Sequence, residues 1–175
     1  MLFFRWFLVS LIVLIIGMLM LKPLLFFLYL HLILPDQMPN LKVNGLLEMD
    51  RNAIVLLDTR AYEEYQVSHI KDARWVGFDD FDLEKVESLP KDTTIVLYCS
   101  VGYRSDLIGQ KLADAGYQHV YNLWGGIFAW VNRGQPVYLN GAPTDQVHPY
   151  SPGWGFWLSK GEKAYGSISQ KKAPH

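Results

Sequence analysis

A seven-residue loop carries the residue types that could form a nucleophilic site. It runs from Cys99 to Ser105 and follows the apolar segment 94–98, whose β-branched residues are typical of a buried strand. Cys99 is the only cysteine among 175 residues, and Gly102 lies mid-loop. A tight strand-to-helix turn points backbone N–H groups inward, and their partial positive charge favours a thiolate over a thiol. The sequence therefore predicts that Cys99 is a nucleophile, with apolar packing at the strand end as the alternative.

Strands and helices alternate on both sides of this loop. In chain order, the apolar patterns predict strands near 54–58, 73–76, 94–99 and 119–122, and helices near 61–67, 81–88, 104–115 and 126–132. This alternation indicates an α/β fold with a parallel sheet covered by helices on both faces. Ligands of such sheets bind beyond the carboxyl ends of the strands, where Cys99 is expected to lie.

Three motifs resemble those of the rhodanese family. They are the strand 54–60 with the acidic segment 62–65 and Ser68-His69-Ile70, the loop Cys99 to Ser105 in the form Cys-x-x-Gly-x-Arg-Ser, and 123–130 in the form Gly-Gly-Ile-x-Ala-Trp. The resemblance covers about residues 41–138 in the family's order. The departures are Thr59 for Val, Ser68 for Gly, and Lys71-Asp72 where Pro-Gly is commoner.

The resemblance implies a parallel-sheet rhodanese-like domain with sulfurtransferase activity. Cys99 would take a sulfane sulfur from thiosulfate or a persulfide donor and pass it to cyanide, a thiol or a protein sulfur acceptor. The substrate-binding active-site loop would comprise Ser100, Val101, Gly102, Tyr103, Arg104 and Ser105, whose backbone amides stabilise the anionic sulfur.

Four charged or titratable residues receive more specific expectations. Arg104 would either bind an anionic donor or hold the loop through an ion pair, and both roles stay open. Asp58 is expected to cap the next helix, and Arg60 to contact the substrate or the loop. His69 matches the family's histidine in a connecting segment and is expected to support the site rather than act as a base.

The N-terminal region predicts a membrane anchor that is not cleaved. From Leu2 to Leu34 the chain is apolar on all sides, and about 20 apolar residues are enough to span a bilayer. Pro23 is expected to kink one tilted helix or to end the span, while a short hairpin at Pro23 remains an alternative. Arg5 lies near one end of the run, and Lys22 and Lys42 lie nearer the other. They leave the orientation of this single-pass anchor undetermined, with a cytoplasmic N-terminus favoured.

The sequence divides into four regions: an anchor at 1–34, a linker at 35–44, the rhodanese domain at 45–138, and a Gly/Pro/aromatic extension at 139–175. We expect the extension's aromatic residues to pack on the domain, with contact to a membrane interface as the alternative. The net charge of −1 without a basic stripe argues against a nucleic-acid partner. No metal site or cofactor is predicted, because there is one cysteine and the histidines lack ligand spacing.

Two other functions compete with sulfur transfer. Phosphatases and arsenate reductases of the same fold carry five residues between Cys and Arg, whereas four separate Cys99 from Arg104 here. A smaller loop suits a single sulfur atom better than a tetrahedral oxyanion. The other alternative is a non-catalytic rhodanese-like binding module, and such modules commonly lose the cysteine that this chain keeps.

Overall fold

The computed structural model describes residues 2–165, which form two units divided after Ile33. The first unit is helix α1, Leu2–Ile33, with Pro23 inside it. This helix bends by 40° between two arms, Phe4–Gly17 and Met20–Ile33. In the described part of the chain, no unbroken helix has the length and apolar character of a membrane span, whereas the two arms have them together. The predicted transmembrane helix is therefore not shown, and the bend lies ahead of Pro23 rather than at it.

The second unit is built on a five-stranded parallel sheet. Its strands are β1 (Asn40–Leu41), β2 (Ile54–Asp58), β3 (Arg74–Trp75), β4 (Thr94–Tyr98) and β5 (His119–Leu123). They lie in the order β1-β5-β4-β2-β3, and every pairing between them is parallel. The predicted α/β fold with a parallel sheet is confirmed.

The helices of the second unit are short, apart from one. They are α2 (Val43–Glu48), α3 (Tyr62–Val67), α4 (Tyr103–Asp114) and α5 (Gly126–Asn132), with a 3₁₀ turn at Leu83–Val86. Ile108 and Leu112 of α4 are fully buried with Leu97 of β4 in the hydrophobic core. This packing fixes α4 directly after the loop that leaves β4, and so holds the loop against the sheet edge.

The register of β2 and β4 places the residues that follow these two strands side by side. Asp58 pairs with Tyr98 at the ends of these strands, so Thr59 and Arg60 emerge beside Cys99. Thr59 donates from its backbone N–H (2.9 Å) and from Oγ1 (3.2 Å) to the Tyr98 carbonyl oxygen. The carboxyl ends of both central strands therefore meet where the sequence predicts a site.

The segment predicted as a linker contributes structure to the sheet. Asn40 and Leu41 form the edge strand β1 on β5, and α2 begins at Val43. The Asp106 carboxylate on α4 accepts hydrogen bonds from the backbone N–H groups of Gln37 (3.1 Å) and Met38 (3.0 Å). The sequence did not reveal β1, since a two-residue strand carries no periodicity by which to recognise it.

The C-terminal extension is folded as far as residue 165. Strands β6 (Val137–Leu139) and β7 (Ala142–Thr144) form a hairpin, while β8 (Gln146–Val147) pairs in parallel with β9 (Glu162–Lys163) around helix α6 (Pro152–Gly155). The side chain of Asn132 on α5 donates to the Trp157 carbonyl oxygen (2.9 Å) and accepts from the Ser159 N–H (2.6 Å). The extension thus contacts the domain through backbone groups near Trp157, whereas the packing of its aromatic side chains on the domain stays a prediction. Residues 166–175 lie outside the described residues.

Candidate active site

Cys99 lies at the base of the loop between β4 and α4. Its side chain is buried with 1% of its surface exposed, and Sγ accepts a hydrogen bond from the Gly102 N–H at 3.1 Å. Gly102 has φ +109, a left-handed conformation that glycine adopts without steric cost, and α4 begins at the next residue. The turn therefore directs at least one backbone donor at the sulfur atom, which is the arrangement expected for an anionic sulfur.

The Glu64 carboxylate on α3 organises the side chains of this loop. It accepts two hydrogen bonds from Arg104, at 2.8 Å on Oε2 and 3.1 Å on Oε1, and one from Ser100 Oγ at 2.9 Å. Arg104 also donates to Ser100 Oγ at 3.0 Å. The Ala61 N–H donates to Oε2 at 3.1 Å, so the same carboxylate caps α3. Arg104 thus makes a bidentate ion pair that holds the loop, which is one of the two roles left open above.

Burial and charge act in opposite directions on this pair. Burial of Glu64 works to raise its pKa, but the hydrogen bonds and positive charge of Arg104 outweigh burial and lower it. Burial of Arg104 disfavours its charged form, yet the hydrogen bond to Glu64, followed by the attraction of Cys99, raises its pKa. Both groups are therefore ionised at neutral pH, and the Arg104 charge interacts with Cys99.

The far side of the loop is fastened to β5 through Asn122. Ser105 Oγ donates to Asn122 Oδ1 at 2.8 Å, and Asn122 Nδ2 donates to the Gly102 carbonyl oxygen at 3.0 Å. Ser105 is fully buried, Val101 is 5% exposed, and Tyr103 is 46% exposed at the start of α4. Among the predicted loop residues, Tyr103 is thus the one that presents a large side chain to solvent.

The glycine pair before α5 allows the chain to approach the loop closely. Gly126 has φ +53, and a Cβ atom built there would lie 2.3 Å from the Cys99 carbonyl oxygen and 2.7 Å from the Ser100 carbonyl carbon. The N–H groups of Ile127 and Phe128 donate to the carbonyl oxygens of Cys99 (2.9 Å) and Ser100 (3.1 Å). The Gly-Gly-Ile motif is therefore required because backbone packs directly on the backbone of the cysteine loop.

Gly126→Ala is expected to lower the free energy of unfolding by about 2–5 kcal/mol, because the new methyl group meets backbone that cannot rotate away. Gly116→Ala is the matched control, since Gly116 has φ +91 with nothing within 4 Å of its added Cβ. The control carries only the left-handed cost of about 1–2 kcal/mol. Denaturant titrations of the two variants measure the difference, and equal losses would contradict the steric explanation.

Asp58 and Arg60 form a buried ion pair beside the loop. Both side chains are fully buried, Arg60 Nη2 lies 2.6 Å from Asp58 Oδ2, and the same nitrogen donates to the Ser68 carbonyl oxygen at 2.6 Å. Burial opposes the charge on Arg60, but Asp58 outweighs it and raises the Arg60 pKa. The prediction that Asp58 caps α3 is wrong, because Glu64 does so. Arg60 faces Asp58 and Ser68, with no surface left for a substrate.

His69 is held in the connection that follows α3. Its ring stacks on Tyr65 with centroids 4.1 Å apart, and Nδ1 lies 3.2 Å from the Tyr65 carbonyl oxygen. Its backbone exchanges hydrogen bonds with Tyr138 at 2.9 and 2.8 Å. These contacts give His69 a structural role between α3 and β6.

Glu64, Asn122 and Tyr150 belong to the site but received no role from the sequence. Glu64 stands three residues after Ala61, the spacing at which a glutamate caps a helix, so a local signal existed for it. Asn122 reaches the loop from β5, and the Tyr150 ring of the extension lies over the Arg104 guanidinium. Neither residue has a local sequence pattern. Within residues 2–165, no cluster of three or more His, Cys, Asp or Glu side chains could hold a metal ion.

Comparison with known proteins places this loop in a family. The rhodanese-like domain family matches residues 45–133, which contain Glu64, the whole cysteine loop and Gly126. The chain belongs to the rhodanese-like domain family. A sulfurtransferase from Allochromatium vinosum is 34% identical over 88 residues, covering 50% of this chain and 81% of that protein. Thiosulfate sulfurtransferase GlpE from Coxiella burnetii is 31% identical over 77 residues, covering 44% of this chain and 71% of that protein.

Rhodanese-like domains of solved structure share the fold. The rhodanese-like domain of Anabaena sp. Alr3790 superposes with a TM-score of 0.53 and 25% identity, covering 78% of this chain and 96% of that one. Other relatives are longer: the probable adenylyltransferase/sulfurtransferase MoeZ of Mycobacterium tuberculosis is 34% identical over 84 residues, and the chain spans 21% of its length. Rhodanese-like domains therefore occur both as most of a protein and as a small part of one.

Proposed function

We propose that this protein is a sulfurtransferase that moves a sulfane sulfur through a persulfide on Cys99. The observation that carries the proposal is the Cys99 sulfur at the base of a tight loop, with the Gly102 N–H directed at it. Its rhodanese-like relatives include proteins named sulfurtransferase and thiosulfate sulfurtransferase, which supports the same reaction here. Thiosulfate or a persulfide is the proposed donor, and cyanide or a thiol the proposed acceptor.

In the first step, the Cys99 thiolate attacks the outer sulfur of thiosulfate. The sulfur–sulfur bond of thiosulfate breaks, sulfite leaves with the bonding electron pair, and Cys99 becomes a persulfide whose terminal sulfur is anionic. The Gly102 N–H, now 3.1 Å from Sγ, is positioned to stabilise negative charge on sulfur. No proton has to be abstracted when the thiol is already ionised, so His69 has no acid–base task in this step.

In the second step, the acceptor attacks the terminal sulfur of the persulfide. With cyanide, a carbon–sulfur bond forms, thiocyanate leaves, and the electron pair of the broken sulfur–sulfur bond returns to Cys99 as a thiolate. Arg104 contributes by holding the loop on Glu64, so that the Gly102 N–H and the Cys99 sulfur keep their positions. Arg104 is therefore proposed as a positioning residue, not as a donor-binding one.

Initial-rate kinetics with thiosulfate and cyanide test this mechanism. Because the sulfur rests on the enzyme between two half-reactions, double-reciprocal plots at several cyanide concentrations should be parallel. Intersecting lines would contradict the covalent intermediate. Rapid hydrolysis of an aryl phosphate would favour the phosphatase alternative, and no turnover of either substrate would favour the non-catalytic binding module.

We also propose that residues 1–34 anchor the protein in a lipid bilayer as a single span. Phe4 and Trp6 are each 67% exposed and Leu32 is 83% exposed, and such apolar surface is unfavourable in water. The two arms of α1, bent by 40°, have the length and composition of a span only together. The side of the membrane that carries the rhodanese-like domain depends on this anchor's orientation, for which a cytoplasmic N-terminus is the favoured arrangement.

An alkaline carbonate wash of membranes from expressing cells tests the anchor. The full chain should stay in the membrane pellet, since a spanning helix resists extraction. The chain lacking residues 1–34 should appear in the supernatant as the matched control. Release of the full chain by carbonate, or a mature N-terminus beyond Leu34, would contradict the proposal.

A further inference from the structure

The C-terminal extension reaches the cysteine loop from outside the matched family segment. That segment ends at residue 133, yet the Tyr150 ring lies over the Arg104 guanidinium, with 5.0 Å between Cζ and the ring centroid. Arg104 uses its nitrogen atoms to bind Glu64 and Ser100, so its planar face is left to contact an aromatic ring. The extension therefore adds a side chain to a site that the rest of the domain builds.

A departure from the family pattern fastens the extension in place. Ser68, which stands where rhodaneses commonly have glycine, is fully buried and donates from Oγ to the Gln146 carbonyl oxygen at 2.6 Å. Glycine has no side chain with which to form this bond. Gln146 begins β8, which pairs with β9, so the bond ties the start of the segment 146–163 to the end of α3.

The turn before α6 holds Tyr150 in one orientation. Tyr150 has φ +63, a left-handed conformation that is rare for a bulky residue and is found where the surroundings enforce it. Its N–H donates to Nδ1 of His148 at 3.0 Å, and Ser151 caps α6 by accepting from the Trp154 N–H. Burial lowers the pKa of His148, which keeps this ring neutral at pH 7 and Nδ1 able to accept.

Tyr150 is thereby held against a side chain of the cysteine loop. Cys99 is 1% exposed, so a reactant reaches its sulfur only past the residues that cover it. Arg104 lies next to the residue that follows Cys99, since it donates a hydrogen bond to Ser100 Oγ at 3.0 Å. The Tyr150 ring, which is 51% exposed, stands on the outer face of Arg104.

We propose that Tyr150 is a specificity-determining residue whose ring narrows the approach to Cys99, so that small acceptors such as cyanide and short thiols are preferred over a cysteine on a folded protein. This inference rests on the proposed sulfur transfer for its consequence in catalysis. The steric part of the inference, that the Tyr150 ring hinders access to Cys99, does not depend on which reaction Cys99 performs.

Alkylation of the full chain tests this steric hindrance directly, because Cys99 is the only cysteine and every thiol label reports on it. The ratio of rates with a bulky fluorescein maleimide and with small iodoacetamide is measured for four proteins. Tyr150→Ala should raise this ratio about two- to fivefold, equivalent to about 0.4–1 kcal/mol in relative activation free energy, because it removes the ring and leaves the loop itself intact. Tyr150→Phe keeps the ring and should match the wild type. Phe156→Ala removes another exposed aromatic side chain of the extension and should match it too.

An unchanged ratio in Tyr150→Ala, or an equal rise in Phe156→Ala, would overturn the proposal. The catalytic consequence is tested by discharging the loaded persulfide with cyanide, glutathione or a reduced protein thiol. Tyr150→Ala should increase the rate with the protein thiol relative to cyanide, and a wild-type preference for the protein thiol would contradict the inference. Failure of every acceptor to discharge sulfur would contradict the proposed sulfur transfer. The alkylation ratio would still decide whether the Tyr150 ring hinders access to Cys99.

Discussion

Cys99→Ser is expected to reduce sulfur transfer from thiosulfate to cyanide by at least about 10³-fold, to the uncatalysed background. A serine hydroxyl is far less acidic than a thiol and cannot form a persulfide, so both half-reactions are lost together. The exchange replaces one buried atom at a loop position, and the Gly102 N–H can donate to the new oxygen as it does to Sγ. The fold should therefore survive.

The thiosulfate–cyanide assay measures this loss, and a thermal melt compares the variant with the wild type. The melting temperature serves as the control, because a large decrease would mean that the residue change had disturbed the fold. Substantial turnover in a well-folded Cys99→Ser protein would contradict the covalent mechanism.

Arg104→Met is expected to lower the free energy of unfolding by about 3–5 kcal/mol, because it leaves the Glu64 carboxylate buried without its partner. The side chains are 17% and 3% exposed, so solvent screens this pair only weakly. Glu64→Gln combined with Arg104→Met removes both charges and should lose less stability than Arg104→Met alone. Lys111→Met is the control for loss of an exposed cation on α4, with an expected cost below about 1 kcal/mol.

The pH dependence of this effect has a definite sign. The folded protein lowers the Glu64 pKa, so the stability from the pair is fully present above the pKa of an unfolded glutamate, about 4.3. It is lost as the pH falls through the lower, folded value. The stability gap between wild type and Arg104→Met should therefore be large at pH 7 and shrink as the pH falls, because the unpaired Glu64 of the variant, whose pKa burial raises, takes up a proton before the paired Glu64 of the wild type does. A gap independent of pH would show that the loss comes from packing rather than charge.

Kinetics of the Arg104 variant separate its two potential roles. If Arg104 only holds the loop, its loss misplaces the Gly102 N–H and the sulfur, and both kcat and kcat/KM for thiosulfate should fall. If Arg104 bound the donor anion equally in the ground state and the transition state, KM would rise with kcat nearly unchanged. The bidentate contact with Glu64 favours the first result.

The sheet and the cysteine loop could be predicted because their signals are local. Residues 54–57 and 95–98 are continuous apolar runs, as central parallel strands buried on both faces must be, and both strands have the predicted bounds to within a residue. Cys99, Gly102 and Arg104 lie within six residues of chain, and the turn that joins them depends on Gly102. Spacing along the chain is enough to infer such a site.

The contacts that hold the loop could not be predicted because they come from distant segments. Glu64 is 40 residues from Arg104, and Asn122 is 17 residues from Ser105. Arg60 was expected to contact the substrate or the loop because it follows a strand end, but its ion pair with Asp58 turns it inward. The partner of a buried arginine depends on tertiary packing, and a sequence pattern carries no information on it.

The most direct test of the central proposal is an intact-mass measurement of the full chain after incubation with thiosulfate and removal of the excess. We expect one added sulfur atom per chain, located on Cys99 by peptide fragmentation, and its loss when cyanide is added. Cys99→Ser should gain no mass under the same conditions. An unmodified wild-type chain, or a sulfur that stays bound when cyanide is added, would contradict sulfur transfer through Cys99.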